Sequence, residues 1–124
     1  MPDQQPAFGG NGTHIFGGIA VSDIKRSLDW YTRLFGAAPA FFPNDREAVW
    51  MIADGRWFYI IVDAKRAGGA IQTIMVEGLD DVIAGIAKRG LEFGDEERPD
   101  ENTRKVMYYD PDGNEIGVGS IPSD

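Results

Sequence analysis

Residues 21–36, VSDIKRSLDWYTRLFG, decide the fold, because they carry one complete amphipathic helix together with its start and end signals. Asp23 is placed to cap the first turn, and Gly36 is placed to end the last turn in a left-handed conformation. Between them, apolar side chains recur at helical spacing at Ile24, Leu28, Tyr31, Leu34 and Phe35. The pattern predicts a helix over residues 23–35.

Strands are predicted on both sides of this helix. The run THIFGGIAV at residues 13–21 is apolar and rich in β-branched residues, which is typical of a strand. After the helix, turn-forming Asn, Asp and Gly residues separate three further apolar runs. These runs predict strands at residues 39–43, 46–53 and 57–63, so the first half of the chain reads β-α-β-β-β.

The second half repeats the order of the first. Residues 70–76 predict a strand, and residues 79–89 predict a helix with acidic residues in its first turn and basic residues in its last. Later strands are predicted at residues 91–94, 103–109 and 114–121, with a DPDG turn at residues 110–113. A repeat of about 55 residues indicates two copies of one supersecondary unit.

Composition limits the classes of function. A chain of 124 residues is the length of one domain, and its net charge of −8 would repel phosphate backbones, so we expect no nucleic-acid partner. No apolar run is long enough to span a bilayer and no secretory signal is evident, so we expect no membrane contact and a cytoplasmic location. The chain has no cysteine and one histidine, which excludes disulfides, thiol catalysis and zinc ribbons.

Two motifs carry a resemblance to a known family. The run VSDIKRSLDWY at residues 21–31 and DPDGN at residues 110–114 resemble the vicinal oxygen chelate superfamily, which includes glyoxalase I, extradiol dioxygenases, fosfomycin-resistance proteins and bleomycin-binding proteins. The resemblance covers about residues 13–121. It implies an α+β fold in which two tandem βαβββ modules form a curved, cup-like mixed sheet with the helices outside. It also implies a ligand in the cup and a homodimer.

The domain organisation follows from the same patterns. Residues 1–12 predict a flexible N-terminal arm, because they are rich in Pro, Gln and Gly and show no periodicity. Residues 13–124 then form a single domain, with module one at 13–66 and module two at 67–121.

The resemblance also locates the family's metal ligands. Enzymes of this superfamily hold a divalent ion in the cup with His, Gln or Glu. The matching positions here are Phe16, Ile71, Gly117 and a residue near Ile60, and none of these side chains can donate an electron pair to a metal. We therefore predict no metal site and no cofactor. The alternative is a relocated site with two ligands, His14 and Glu115.

Loss of the metal ligands would leave an apolar or aromatic pocket. The predicted ligand-binding residues are Phe16, Trp50, Ile60, Ile71, Thr73 and Gly117, with His14 and Arg104 as hydrogen-bonding groups. Residues 92–115 carry most of the net negative charge. We interpret residues 95–102 as a solvated loop, the alternative being an acidic rim that attracts a cationic ligand.

The leading hypothesis is a protein that binds a hydrophobic or aromatic small molecule without transforming it, as bleomycin-binding members of the superfamily do. The alternative is an enzyme, a lyase, isomerase or oxygenase, that uses either the relocated metal or a carboxylate base, Glu77 or Glu115. A third interpretation is a structural or regulatory dimer whose cup is filled by its own side chains.

Overall fold

Two open β-sheets form the framework of the protein, and a helix packs on one face of each. The computed structural model describes residues 4–120. A 3-10 turn, Ala7–Gly10, comes first. The elements that follow are β1 (Ile15–Val21), α1 (Ile24–Phe35), β2 (Glu47–Ala53), β3 (Arg56–Val62), β4 (Ile71–Val76), α2 (Leu79–Lys88), β5 (Asp95–Asp100), β6 (Thr103–Tyr109) and β7 (Glu115–Ser120).

The two sheets share one topology. In the first sheet the strand order is β1-β3-β2, and in the second it is β4-β7-β6-β5. The first strand of each module pairs in parallel with the last, whereas the remaining pairs are antiparallel. These two βαβββ-like modules confirm the predicted α+β class.

Helix α1 begins and ends as predicted. The side chain of Asp23 accepts a hydrogen bond from the Arg26 backbone nitrogen at 3.0 Å, and Gly36 adopts the left-handed conformation with φ of 70°. Arg89, just after α2, donates from Nε to the Arg33 carbonyl at 2.5 Å, and its guanidinium also bonds the Leu34 carbonyl. A residue of the second module therefore satisfies carbonyls that the end of α1 leaves without partners.

The predicted strand at residues 39–43 is wrong in extent. Only a single bridge forms there, between Phe41 and Val49. Pro39 and Pro43 flank the bridge and have no backbone N–H to donate, so the ladder cannot extend in either direction.

The acidic segment of the second module forms a strand, contrary to prediction. Residues 91–94 are not a strand, and β5 instead covers most of the predicted loop at residues 95–102, with every residue exposed. Since β5 is the outer strand of its sheet, backbone pairing with β6 is enough to form it, and its charges discourage further strand addition. The Tyr109 hydroxyl on β6 donates to Asp95 on β5 at 2.5 Å.

A wholly buried carboxamide, that of Asn114, joins the two modules. Its Oδ1 accepts hydrogen bonds from the backbone nitrogens of Gly68 and Ala70, both at 3.0 Å. Its Nδ2 donates to the Ala20 carbonyl on β1 at 3.0 Å and to Asp110 at 2.8 Å. One side chain thus fixes the end of β1 beside the start of β4.

Asp110 extends this junction to α1. Its carboxylate accepts from the Tyr31 hydroxyl at 2.7 Å, and burial, followed by this negative charge, raises the pKa of Tyr31 well above its ordinary value. Asp112, two residues on, accepts from the backbone nitrogen and the hydroxyl of Ser22. The DPDGN turn therefore holds both α1 and the β1–α1 connection.

Replacing Asn114 tests the junction. We expect Asn114→Ala to lower the free energy of unfolding by about 3 kcal/mol, because the buried groups it satisfies would lose their partners. Chemical denaturation measures the change. Asn102→Ala is the matched control, since Asn102 is exposed and should change stability by no more than about 0.5 kcal/mol. Equal stability of the two variants would contradict the assigned role of Asn114.

The Tyr109–Asp95 contact gives a pH-dependent test of the placement of β5. The hydrogen bond to Asp95 is the main cause that raises the pKa of Tyr109 to about 12. The neutral phenol is therefore favoured in the folded protein, and its contribution to stability is lost as pH rises through about 12. In Asp95→Asn, absorbance titration should show that the pKa falls toward the ordinary value of about 10. Superimposable titrations of the two proteins would mean that β5 does not lie against β6 in this way.

Candidate functional site

Each sheet has one face that no helix covers, which we call the helix-free face. Alternation along the paired strands assigns its residues, since neighbours in register share a face. On the first sheet they are Phe16, Gly18, Ala20, Glu47, Val49, Met51, Trp57, Tyr59 and Ile61; on the second they are Ile71, Thr73, Met75, Asp95, Glu97, Lys105, Met107, Tyr109, Glu115, Gly117 and Gly119. Several of its large apolar side chains are exposed, including Phe16 at 52% and Ile71 at 68%.

Glycines on this face allow neighbouring side chains to lie across the sheet. A Cβ at Gly18 would collide with the ring of Tyr59. A Cβ at Gly117 would come within 2.6 Å of Lys105 Cε, and one at Gly119 within 3.0 Å of the Met75 sulfur. The surface of the helix-free face is therefore built from side chains that lie along it.

A cavity of about 810 Å³ lies between the two modules, where β1 and β4 line it from opposite sides. Both strands are at the edge of their own sheets and do not pair with each other, so a gap remains, which we call the seam. Its apolar lining is Ile15, Ile52, Ala53, Trp57, Phe58, Ile74, Met75 and Val76, and its polar side chains are Arg56, Gln72, Thr73 and Glu77. The side chain of Gln72 reaches across the seam to Gly17.

Trp57 is the largest side chain in the cavity wall. Its ring stacks on Phe16, with centroids 5.6 Å apart and planes 9° apart, and Phe41 meets it edge-on. Its Nε1 is buried and has no hydrogen-bond partner among residues 4–120. The sequence analysis did not select Trp57 as a site residue, although its register pairing with Phe16 places both on the same face.

The predicted wall residues separate into two groups. Phe16, Ile71, Thr73 and Gly117 lie on the helix-free face, and Thr73 also lines the seam cavity. Trp50 and Ile60, with 2% and 0% exposure, lie on the opposite face. The prediction that all six share one wall is therefore wrong.

Trp50 belongs to the core beneath α1. It packs against Tyr31, Phe35 and Phe58, and its Nε1 donates to the Ala37 carbonyl at 2.9 Å. Ile60, on the neighbouring strand, is fully buried in the same cluster. Both residues stabilise the fold, because large apolar side chains are buried most fully where a helix covers the sheet.

Arg104 also lies on the helix-covered face, contrary to the prediction that it serves the cup. Its guanidinium bonds Asp80 of α2 at 3.1 Å and Glu96 of β5 at 3.0 Å. These contacts raise the pKa of Arg104 and lower that of Glu96. The other predicted polar group, His14, is exposed and bonds the neighbouring Thr13 hydroxyl at 2.9 Å.

The donors on the helix-free face do not fit the divalent ion of the resembling enzymes. Phe16, Ile71 and Gly117 offer no electron pair, and within residues 4–120 no three His, Cys, Asp or Glu side chains cluster around one point. Glu115 adjoins the Asn114–Ala20 contact at one end of β1, whereas His14 precedes the other end. Six extended residues separate these ends by about 20 Å, so the alternative pair His14 and Glu115 cannot share an ion.

Two tandem βαβββ modules with a cavity between their first strands define the class of protein. A family profile, "Glyoxalase/Bleomycin resistance protein/Dioxygenase superfamily", matches residues 13–118. The chain therefore belongs to the glyoxalase, bleomycin resistance protein and dioxygenase superfamily. No helix within residues 4–120 has both the length and the apolar character needed to cross a membrane.

Solved structures agree with this assignment. A glyoxalase/bleomycin resistance protein from Catenulispora acidiphila is 45% identical, covers 88% of this chain and 98% of its own, and superposes with a TM-score of 0.85. The fosfomycin resistance protein FosX from Listeria monocytogenes is 18% identical, with 86% and 91% covered and a TM-score of 0.66. An integron cassette protein from V. cholerae, 17% identical with 86% and 93% covered, reaches a TM-score of 0.68. These last two show similarity of fold, and none of the curated proteins compared with the chain matches it.

Trp50 and Trp57 provide a test of the face assignment. Trp50→Ala should lower the free energy of unfolding by about 3–5 kcal/mol, because it empties a buried core position. Trp57→Ala, which removes a half-buried side chain, should cost less than half as much. Chemical denaturation of both variants measures the difference, and a larger loss for Trp57→Ala would reverse the assignment.

Proposed function

We propose that this chain binds a hydrophobic or aromatic small molecule in the seam cavity and holds it without chemical change. The observation that carries the proposal is the cavity itself, whose volume of about 810 Å³ is within the range of small-molecule sites. Its wall is mainly apolar with a few polar side chains, which is the composition such sites have.

The aromatic stack favours a flat ligand. Phe16 and Trp57 form one parallel pair, and the Trp57 side of that pair lines the cavity. A flat aromatic ligand can extend such a stack in offset or edge-to-face geometry, which adds to the free energy of area burial. Because Ile15 and Met75 of the cavity lining expose apolar surface to water, covering them with a ligand is favourable.

An enzymatic role is the second candidate, and Glu77 favours it. Glu77 is the one carboxylate in the described lining of the seam cavity, so it can reach a bound molecule as a general base. The Catenulispora relative is described as a glyoxalase/bleomycin resistance protein, which supports testing both functions. Glu115, the other predicted base, lies on the helix-free face outside the cavity lining.

The assembly proposed with this function is a homodimer. The exposed apolar side chains of the helix-free face, among them Met51 and Ile71, are surfaces that a second copy could also cover. Sedimentation of the purified protein would distinguish a dimer from a monomer, and a monomer at all concentrations would contradict this part of the proposal.

A neutral aromatic probe tests binding. N-phenyl-1-naphthylamine should gain fluorescence on addition of the protein and saturate at one probe per chain. Trp57→Ala should weaken its binding by about 1–3 kcal/mol, as expected for a central aromatic anchor. Trp30→Ala is the matched control, because Trp30 lies on α1 and outside the cavity lining and should leave the affinity unchanged. Absence of saturable binding, or equal effects of both substitutions, would contradict the binding proposal.

Catalysis has a separate readout. If the chain is a glyoxalase-type isomerase, the hemithioacetal of methylglyoxal and glutathione should be converted to its thioester, and Glu77→Gln should abolish the reaction. Binding of the neutral probe without turnover supports the proposed binding function. Turnover that depends on Glu77 would instead show that the chain is an enzyme.

A further inference from the structure

A single cation, Lys105, lies across the helix-free face of the second module. Lys105 is on β6, and its neighbours in register are Gly119 on β7 and Glu97 on β5. The ammonium group forms no ion pair with Glu97 or with any other acidic side chain of residues 4–120. The side chain turns instead toward β7, where its Cε and Cδ lie over Gly117.

Gly117 makes this arrangement sterically allowed. A Cβ at residue 117 would be 2.6 Å from Lys105 Cε and 3.3 Å from Thr73 Oγ1, so Lys105 and Thr73 come together over the glycine. Gly117 does not adopt a positive φ, and its backbone conformation therefore does not require glycine. The stem of Lys105 occupies the space over Gly117, and a Cβ there would displace this flexible side chain.

Lys105 and Thr73 together can recognise an anion. An ammonium group offers three hydrogen-bond donors and a hydroxyl offers one. The ammonium group of Lys105 does not have to leave an ion pair before it binds the anion. Thr73 also lines the seam cavity, so the pair stands at the border between the cavity and the open face. The carboxylates of Asp95, Glu97 and Glu115 share this face and repel anions, so Lys105 is the group on it that can attract a negatively charged ligand.

We propose that Lys105, positioned by Gly117 and assisted by Thr73, selects ligands that carry an anionic group such as a carboxylate, sulfonate or phosphate next to their aromatic part. The inference rests on the proposed binding function and specifies its ligand class. The aromatic part occupies the seam beside Trp57, and the anionic group lies at the Thr73 side of the cavity.

Two probes with one aromatic skeleton separate the charge from the apolar contact. 8-Anilinonaphthalene-1-sulfonate carries a sulfonate, and N-phenyl-1-naphthylamine is the same skeleton without it. The wild-type protein should bind the sulfonate about tenfold more tightly than Lys105→Met does, because the methionine keeps the stem and removes the charge. The affinity of Lys105→Met for the neutral probe should stay within about twofold of the wild-type affinity. Ionic strength well above about 0.15 M should weaken binding of the sulfonate probe and leave binding of the neutral probe unchanged.

Three further variants complete the experiment. Gly117→Ala should reduce the sulfonate preference as Lys105→Met does, because the added methyl displaces the lysine stem. Lys65→Met, which removes an exposed charge elsewhere, should leave both affinities unchanged. Arg56→Gln removes the cation of the cavity lining itself, and loss of the sulfonate preference in this variant instead of in Lys105→Met would overturn the assignment. Thermal unfolding of each variant confirms that it is folded.

The outcomes distinguish this inference from the function on which it rests. The inference is overturned if Trp57→Ala weakens binding of the neutral probe but Lys105→Met leaves the affinity for the sulfonate unchanged. In that case the binding function still stands. Failure of both probes to bind overturns both.

Discussion

The buried carboxamide of Asn114 is the constraint on which the arrangement of the two modules depends. It satisfies two backbone nitrogens before β4 and one carbonyl at the end of β1, and these groups would otherwise be buried without partners. Asp110 orients the carboxamide and also accepts a hydrogen bond from the Tyr31 hydroxyl. Because every hydrogen bond in this set is buried or half-buried, water cannot replace one that is lost without cost.

Much of the fold could be predicted from local patterns. The α1 boundaries followed from a cap, an apolar stripe and a C-terminal glycine, and the two-module repeat followed from the recurrence of that order. The β5 strand could not be predicted, because its residues are all polar or proline and show no alternation of apolar and polar side chains. The bridge at Phe41 failed to become a strand for the opposite reason, since apolar side chains were present and backbone donors were not.

The candidate site was only partly predictable, because strand pairing decides it. Phe16, Ile71, Thr73 and Gly117 share the helix-free face, because the repeat preserves register between equivalent strands. Trp50 was selected for its aromatic ring on a strand whose two faces are both apolar, and such a strand gives no signal of which side a helix covers. The contact of Lys105 with Gly117 joins different strands, so no spacing within the sequence reveals it.

The position of the DPDGN turn has a consequence for the width of the seam. The cross-module bond from Asn114 reaches the Ala20 carbonyl, at the end of the seam where Asn114 also binds the Ala70 backbone nitrogen. Ile15 and Val76 line the cavity at the other end, where the Gly55 carbonyl of the Asp54-Gly55 turn accepts a hydrogen bond from the Ile15 backbone nitrogen within the first module. The carboxamide of Asn114 thus joins the two sheets at one end of the seam. Separation of the two sheets at the Ile15 end breaks none of the Asn114 hydrogen bonds, so these bonds fix the width of the seam at the Ala20 end alone.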